Sequence, residues 1–411
     1  MKHLYLLAFL LFGFVMHSQV VGCNDPMAAN FNPAATLNDG SCIYDRVTLG
    51  AEFSVDLPND ISETSGLIYY NNQLLTHNDS NDTDLYGIDS VTGQITSRIK
   101  LANVRNIDWE DLAQDDQFIY IADFGNNAKG NRGNLQILRI LKERLLTNPI
   151  IDTISFSYSD QPLPLPTRGN ANKTDFDCEA FIVTDNFFYL FTKQWNSKAT
   201  ALYRLPKIPG AHSAELLSAM DVGGLITGAT IHPESGVITL VGYDGLVRPF
   251  LYLLYDYPDD KFFSGNIRRI DLAMQFSQLE SVATLDGTTF HLTNERLQRR
   301  PLVNVPAQLH RINLAPYIGF YVNSIRLNNN DPLNLSQFVA YQDRINKLVT
   351  VRVREPLVGA PFFFLDQSGT IALEGAIDAL TTQIDASTLA RGIYQLRIGR
   401  DQGRTTNIII D

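Results

Sequence analysis

Cysteine and histidine are scarce in this chain, 3 and 7 among 411 residues, too few and too scattered to build a zinc centre. Positive charge is short as well: 33 Lys and Arg stand against 44 Asp and Glu, a balance of −11 with a pI near 5.1. No basic cluster interleaved with aromatics relieves that deficit, so neither nucleic acid nor an anionic membrane is an expected partner. Beyond the N-terminus no apolar run approaches the roughly 18 residues of a membrane helix. A Gly-x-Ser-x-Gly elbow, a His-Glu-x-x-His pair and a phosphate-binding loop are all missing, which removes three common routes to hydrolysis or nucleotide chemistry. Asp123-Phe124-Gly125 copies a kinase tripeptide without its companions and reads as a strand-end turn.

What is abundant is apolar residues, 45% of the chain, arranged in a repeat. Five segments begin with a small or acidic cluster: Glu63-Thr64-Ser65-Gly66-Leu67, Asp108-Trp109-Glu110-Asp111-Leu112, Asp177-Cys178-Glu179-Ala180-Phe181, Ile226-Thr227-Gly228-Ala229-Thr230 and Gln278-Leu279-Glu280-Ser281-Val282. Their fourth positions lie 45, 69, 49 and 52 residues apart, about one four-stranded blade each if the second carries an insertion. Each is followed by an apolar strand ending on polar residues, as in Leu74-Leu75-Thr76-His77-Asn78-Asp79 and Phe290-His291-Leu292-Thr293-Asn294-Glu295. The expectation is an all-β fold: a β-propeller over residues 47–313 with five blades, or six if the step of 69 hides a degenerate one. The last blade lacks an outer strand of its own, and Val47 to Leu57 is expected to supply it, removing an open sheet edge. Ser159 to Lys173, rich in proline and polar residues, is expected to be a surface loop over one face.

The chain ends carry export signals. Lys2 and His3 precede the apolar run Leu4 to Val15, too short to span a bilayer, so residues 1–18 read as a secretory signal peptide. Val20-Val21-Gly22-Cys23 offers the alternative of a lipidated Cys23. In an oxidising compartment Cys23 and Cys42, bracketing an Asx-rich loop, are expected to form a disulfide, while Cys178 inside a strand is expected to be a buried thiol. Residues 19–46 thus form a short Cys/Asx-rich module whose side chains serve as turn caps or as hard oxygen ligands for Ca²⁺.

Three resemblances follow from these residues. Gly22 to Tyr44 is similar to a short module of secreted proteins of Bacteroidetes-type bacteria. Leu348-Val349-Thr350-Val351, Leu365 to Ile371, Ile384 to Ile398 and the terminal Thr405 to Ile410 resemble the C-terminal sorting domain of the type IX secretion system, a small β-sandwich. That resemblance assigns residues 336–411 to the sorting domain, and the polar stretch Asn328-Asn329-Asn330-Asp331-Pro332 marks residues 314–335 as a linker. It implies passage through the periplasm to the outer-membrane surface or medium, with the type IX machinery as partner. The sorting match departs from its family in lacking a Tyr-Pro-Asn-Pro opening, in having Ala390-Arg391 before Gly392, and in ending on Asp411. The propeller resembles secreted bacterial propellers of esterase-like or SdiA-regulated type, through Ser62 to Leu67, Thr76 to Ser80, Asp108 to Ala113, Ile121 to Asn127 and Thr227 to Ala229. That group has no uniform activity.

In a propeller the start of each inner strand and the end of the next strand meet at one channel mouth. Glu63, Asp108, Glu110, Asp177, Glu179 and Glu280 would gather there, a set of oxygens suited to Ca²⁺ if it is not merely capping turns. His77, Asp79, Trp109, Asp123, Lys193, Trp195, Asp244 and Glu295 would form the surrounding ligand-binding rim, with the two indoles able to stack a sugar or to pack between blades. Two functions fit. One is a surface module binding an extracellular ligand or Ca²⁺; the other is a metal-dependent hydrolase of lactonase, esterase or phosphoesterase type. Whether there is turnover stays open at this point.

Overall fold

A computed structural model describes residues 19–411 except 275, 300, 329–337, 344–346, 354–356, 400–403 and 411. The signal-peptide reading of residues 1–18 lies outside the described residues.

Five four-stranded antiparallel units form the five blades of a propeller, each beginning on a strand whose residues are buried almost throughout. These inner strands, Thr64–Tyr70, Trp109–Gln114, Cys178–Val183, Leu225–Ile231 and Leu279–Thr284, pack side by side about the axis. Such near-continuous burial explains why they read as apolar runs, whereas the outer strands Ile95–Lys100 and Asn266–Leu272 alternate in and out. No sixth blade lies within the step of 69. The excess is taken by the long strand Ile151–Tyr158 and the segment after it.

The fold closes through its ends. Phe53–Asp56 completes the last blade by pairing antiparallel with Gln308–Asn313, and Arg311 binds Glu52 at 2.7 Å beside the seam. The expected single closing strand from Val47 to Leu57 is in fact divided: Thr48–Leu49 pairs parallel with Asp271 and Leu272 on the fourth blade, covering that edge as well. Between the second and third blades Ile151–Tyr158 and Gly210–Asp221 pair in parallel, so the two blades share one sheet of eight strands.

The Cys23–Cys42 disulfide is formed, which leaves Cys23 no free thiol for a lipid. The Asx side chains of this module cap its turns: Asp25, Asn32, Asn38 and Asp39 each accept a backbone N–H two residues on. Asp25 also accepts the hydroxyls of Tyr44 and Tyr255, which ties the module to the fourth blade.

Helix Ala315–Asn328 occupies the first part of the expected linker, with Ile318 and Val322 buried against the fourth and fifth blades, and residues 329–335 of that linker lie outside the described residues. Beyond it two small sheets face each other around Val349, Val351, Ile384, Phe364 and Leu396, the expected C-terminal β-sandwich. The sorting-type motifs fall on its strands and turns. Asp366 and Asp385, for example, accept the N–H groups of Ser368 and Ser387.

Candidate binding site at the channel mouth

Every inner strand carries a register shift against its partner, at the same point near its start. One residue is left unpaired there, a β-bulge that turns its side chain out of the ladder. The unpaired residues are Glu110, Glu179, Thr227 and Glu280 in blades two to five. In the first blade the shift falls over Gly66 and Leu67, so no carboxylate is presented. Gly66 has φ +66, and a Cβ there would lie 2.6 Å from the Leu112 nitrogen, so glycine is required. The bulge also corrects the repeat register in the fourth blade, where Thr227 rather than Gly228 is the counterpart of the glutamates. Two hydroxyls lock the ring: Ser65 donates to the Glu110 carbonyl and Thr227 to the Leu279 carbonyl, each at 2.5 Å and each in a neighbouring blade.

The mouth encloses a cavity of about 190 Å³ lined by Glu63, Asp79, Glu110, Glu179, Glu280 and Glu295 together with Lys193, Trp195 and Tyr243. Lys193 is 4% exposed and sits at the centre of the charge. Its backbone N–H donates to Asp177 and its Nζ lies 2.9 Å from Glu179 Oε2 and 5.1 and 5.6 Å from the Trp195 and Tyr243 ring centroids. Burial alone would discharge this ammonium, but Glu179 and its neighbours hold it well above its usual range. The carboxylates respond oppositely. Burial, then the charge of Glu179, pushes Glu110 well above the usual range, and Glu280 is raised by burial against the pull of Lys193. Burial next to Glu63 takes Asp79 to about 8, and burial takes Glu295 to about 7 and Asp108 to about 6. Two acceptors in this space, Glu179 Oε1 and Asp79 Oδ1, are buried without a hydrogen-bond partner.

The expected rim residues divide into two sets. Asp79, Lys193, Trp195 and Glu295 do face the cavity. Trp109 does not: it is fully buried between the first two blades and gives its indole N–H to Arg105, so packing is its role. His77 is buried edge-on to Trp109 at 5.5 Å, its imidazole driven down to about 4 by burial and hence neutral at physiological pH. Asp123 is held by Arg132 at 2.5 Å and by Gln136, and Asp244 by Arg248 and two turn N–H groups. Both are structural partners, not rim groups.

The expected metal set is divided too. Asp177 accepts from the Asn126 N–H and the Trp195 indole, Glu63 is exposed and accepts from Ser80, and Asp108 and Asp177 are not part of the cavity wall. Among the described residues no three carboxylate, imidazole or thiolate groups come together closely enough to hold a metal ion. The Lys193 ammonium supplies part of the countercharge within the ring.

Tyr243, Asn127, Asn172 and Gln278 also line the cavity and were not anticipated. Tyr243 is the last residue of its strand, one before Asp244, so the repeat pointed to the correct turn and the wrong residue. Asn172 comes from the segment after the second blade, where its N–H donates to the Asn127 carbonyl at 2.8 Å; no repeat signal marks it.

No protein-family model matches the sequence, and no curated protein matches it. Solved structures of similar shape include the PQQ-bound aldose sugar dehydrogenase of Streptomyces coelicolor, 10% identical over 64% of this chain and 97% of that one, with a TM-score of 0.39. PorZ, a surface component of the type IX secretion system of Porphyromonas gingivalis, is 10% identical over 85% of this chain and 45% of its own, with a TM-score of 0.30. The Pan2 WD40 domain of Neurospora crassa is 7% identical over 61% of this chain and 75% of its own, with a TM-score of 0.31. None of the three bears on ligand or activity.

Proposed function

We propose that this protein is a Bacteroidetes-type exported propeller that binds an extracellular ligand at its channel mouth without turnover. It reaches the outer-membrane surface or the medium by type IX secretion. The mouth observation carries the reading: two buried oxygens, on Glu179 and Asp79, border a half-open polar cavity without a hydrogen-bond partner. An orphaned buried acceptor costs about 1–3 kcal/mol, and a ligand that donates to it recovers that cost. Export is supported by the N-terminal apolar run, the Cys23–Cys42 disulfide and the sorting-type motifs on the C-terminal sandwich. A metal-dependent hydrolase gains nothing from the ring, which offers no convergent ligand set.

Deleting residues 336–411 tests the export half: the truncated propeller is expected to accumulate in the periplasm, and normal surface display would overturn the type IX assignment. Ca²⁺ remains the competing occupant of the mouth. If it binds there, melting in excess CaCl₂ should exceed melting in EDTA, by about 2.7 kcal/mol of stabilisation at a hundredfold excess over Kd; identical melting removes it.

A further inference from the structure

We infer that the group the mouth receives is an alkyl ammonium, the end of a lysine side chain or of a small diamine; this rests on the mouth being a ligand site. Charge argues first. Six carboxyl groups, Glu63, Asp79, Glu110, Glu179, Glu280 and Glu295, wall the cavity beside the single ammonium of Lys193. Such a wall can ionise further to meet an added cation, whereas an anion meets no second positive group and a neutral polyol draws out no ionisation.

Hydrogen bonding argues second. Glu179 Oε1, on a side chain 1% exposed, and Asp79 Oδ1 lack a hydrogen-bond partner, and with Asp79 ionised both are acceptors, so the ligand must bring donors. An ammonium carries three N–H donors and one charge on a single small atom. A divalent cation would need several oxygens drawn to one point, which the described residues do not provide. Lys193 shows the same chemistry already at work, one ammonium held by Glu179 under the faces of Trp195 and Tyr243.

The site has a proton-linked signature. Asp79 faces Glu63 and Glu295, while Glu295 faces Lys193, Glu179 and Glu63. With these neighbours and burial, both carboxyls hold protons near neutral pH, and burial raises Glu110 and Glu280 in the same direction. An incoming ammonium favours the ionised form, so binding expels protons and tightens as pH rises while the amine stays charged.

Isothermal titration of the full chain with 1,4-diaminobutane and with the peptide Gly-Lys-Gly tests this. Runs at pH 6, 7 and 8.5 in buffers of different ionisation enthalpy read out the protons. Affinity should rise at least about tenfold from pH 6 to 8.5 with net proton release. Glu179→Gln and Asp79→Asn should each weaken binding by about tenfold or more, and the exposed Glu143→Gln should not. If Glu179→Gln fails to fold, Asp79→Asn carries the comparison alone. The tighter of the two probes identifies the source, free amine or basic peptide. Binding independent of pH and of both variants would overturn the inference. If methyl glucoside or CaCl₂ binds in a Glu179-dependent manner and neither amine does, the ligand class is wrong and the mouth reading stands. If no probe binds at all, both fall.

Discussion

The two ends of the central channel are built from the same five strands and share almost no chemistry. At the mouth the bulges present Glu110, Glu179 and Glu280 to an acidic cavity. At the far end Leu67, Leu112, Phe181, Ala229 and Ala283 line a mainly apolar cavity of about 180 Å³. Glu110 and Leu112 are two residues apart on one strand. Between them Asp111 spans the channel, accepting the N–H groups of Leu112, Phe181 and Ala229 at 2.8, 3.1 and 3.4 Å and so joining blades two, three and four. The contrast teaches that cohesion and chemistry are separated along the axis: apolar contact between blades holds the far end, while the mouth keeps like charges close and is stabilised chiefly by Lys193.

That separation can be broken most sharply at Leu112, which is 1% exposed. Leu112→Asp places an unpaired carboxylate in the apolar end and should cost about 3 kcal/mol or more, read from the denaturant midpoint. Glu110→Gln, two residues away, should cost little or raise stability, because it removes one of the crowded mouth carboxyls. Equal losses from the two would end the comparison.

A pH series sharpens it further. A carboxyl whose folded pKa is raised keeps its proton when the unfolded chain has already lost its own. The mouth should therefore weaken the fold progressively as pH rises from about 4, the unfolded carboxyl range, toward the values near 6, 7 and 8 at Asp108, Glu295 and Asp79. Melting temperatures should decline over that window and level off above it, with a shallower decline in Glu110→Gln. A flat profile would mean that the mouth carboxyls titrate as ordinary surface groups.

The smallest expected effect is at Trp195. Trp195→Phe keeps an aromatic face near Lys193 but removes the indole N–H that Asp177 accepts at 2.7 Å. About 1 kcal/mol of stability should be lost by denaturant titration. A loss many times larger would mean that the ring's packing against Leu225, Tyr243, Val247 and Leu297, rather than its N–H, is what matters.

The blades were legible in the sequence because strand period and polar strand ends recur at nearly even spacing. The mouth was legible in outline for the same reason: acidic residues at equivalent strand starts must meet if the strands ring an axis. Trp109 and His77 misled because a repeat position gives the turn but not the direction of a side chain, and both turn into the seam between blades. Thr227 was misplaced by one residue, since a bulge shifts register without changing composition.

By itself, then, the sequence determined the all-β class, the repeat of five, the bonded cysteines and the acidic character of one channel end, all of which follow from local pattern and residue type. Only the tertiary structure decided which acids share a cavity and which are consumed by Arg132, Arg248 or Trp195. It also decided that Lys193 from the third blade is the ammonium that pairs with Glu179 inside the acidic ring. The physical reason is that burial and pairing are properties of groups brought together from different blades, and neither spacing nor composition encodes which group arrives first.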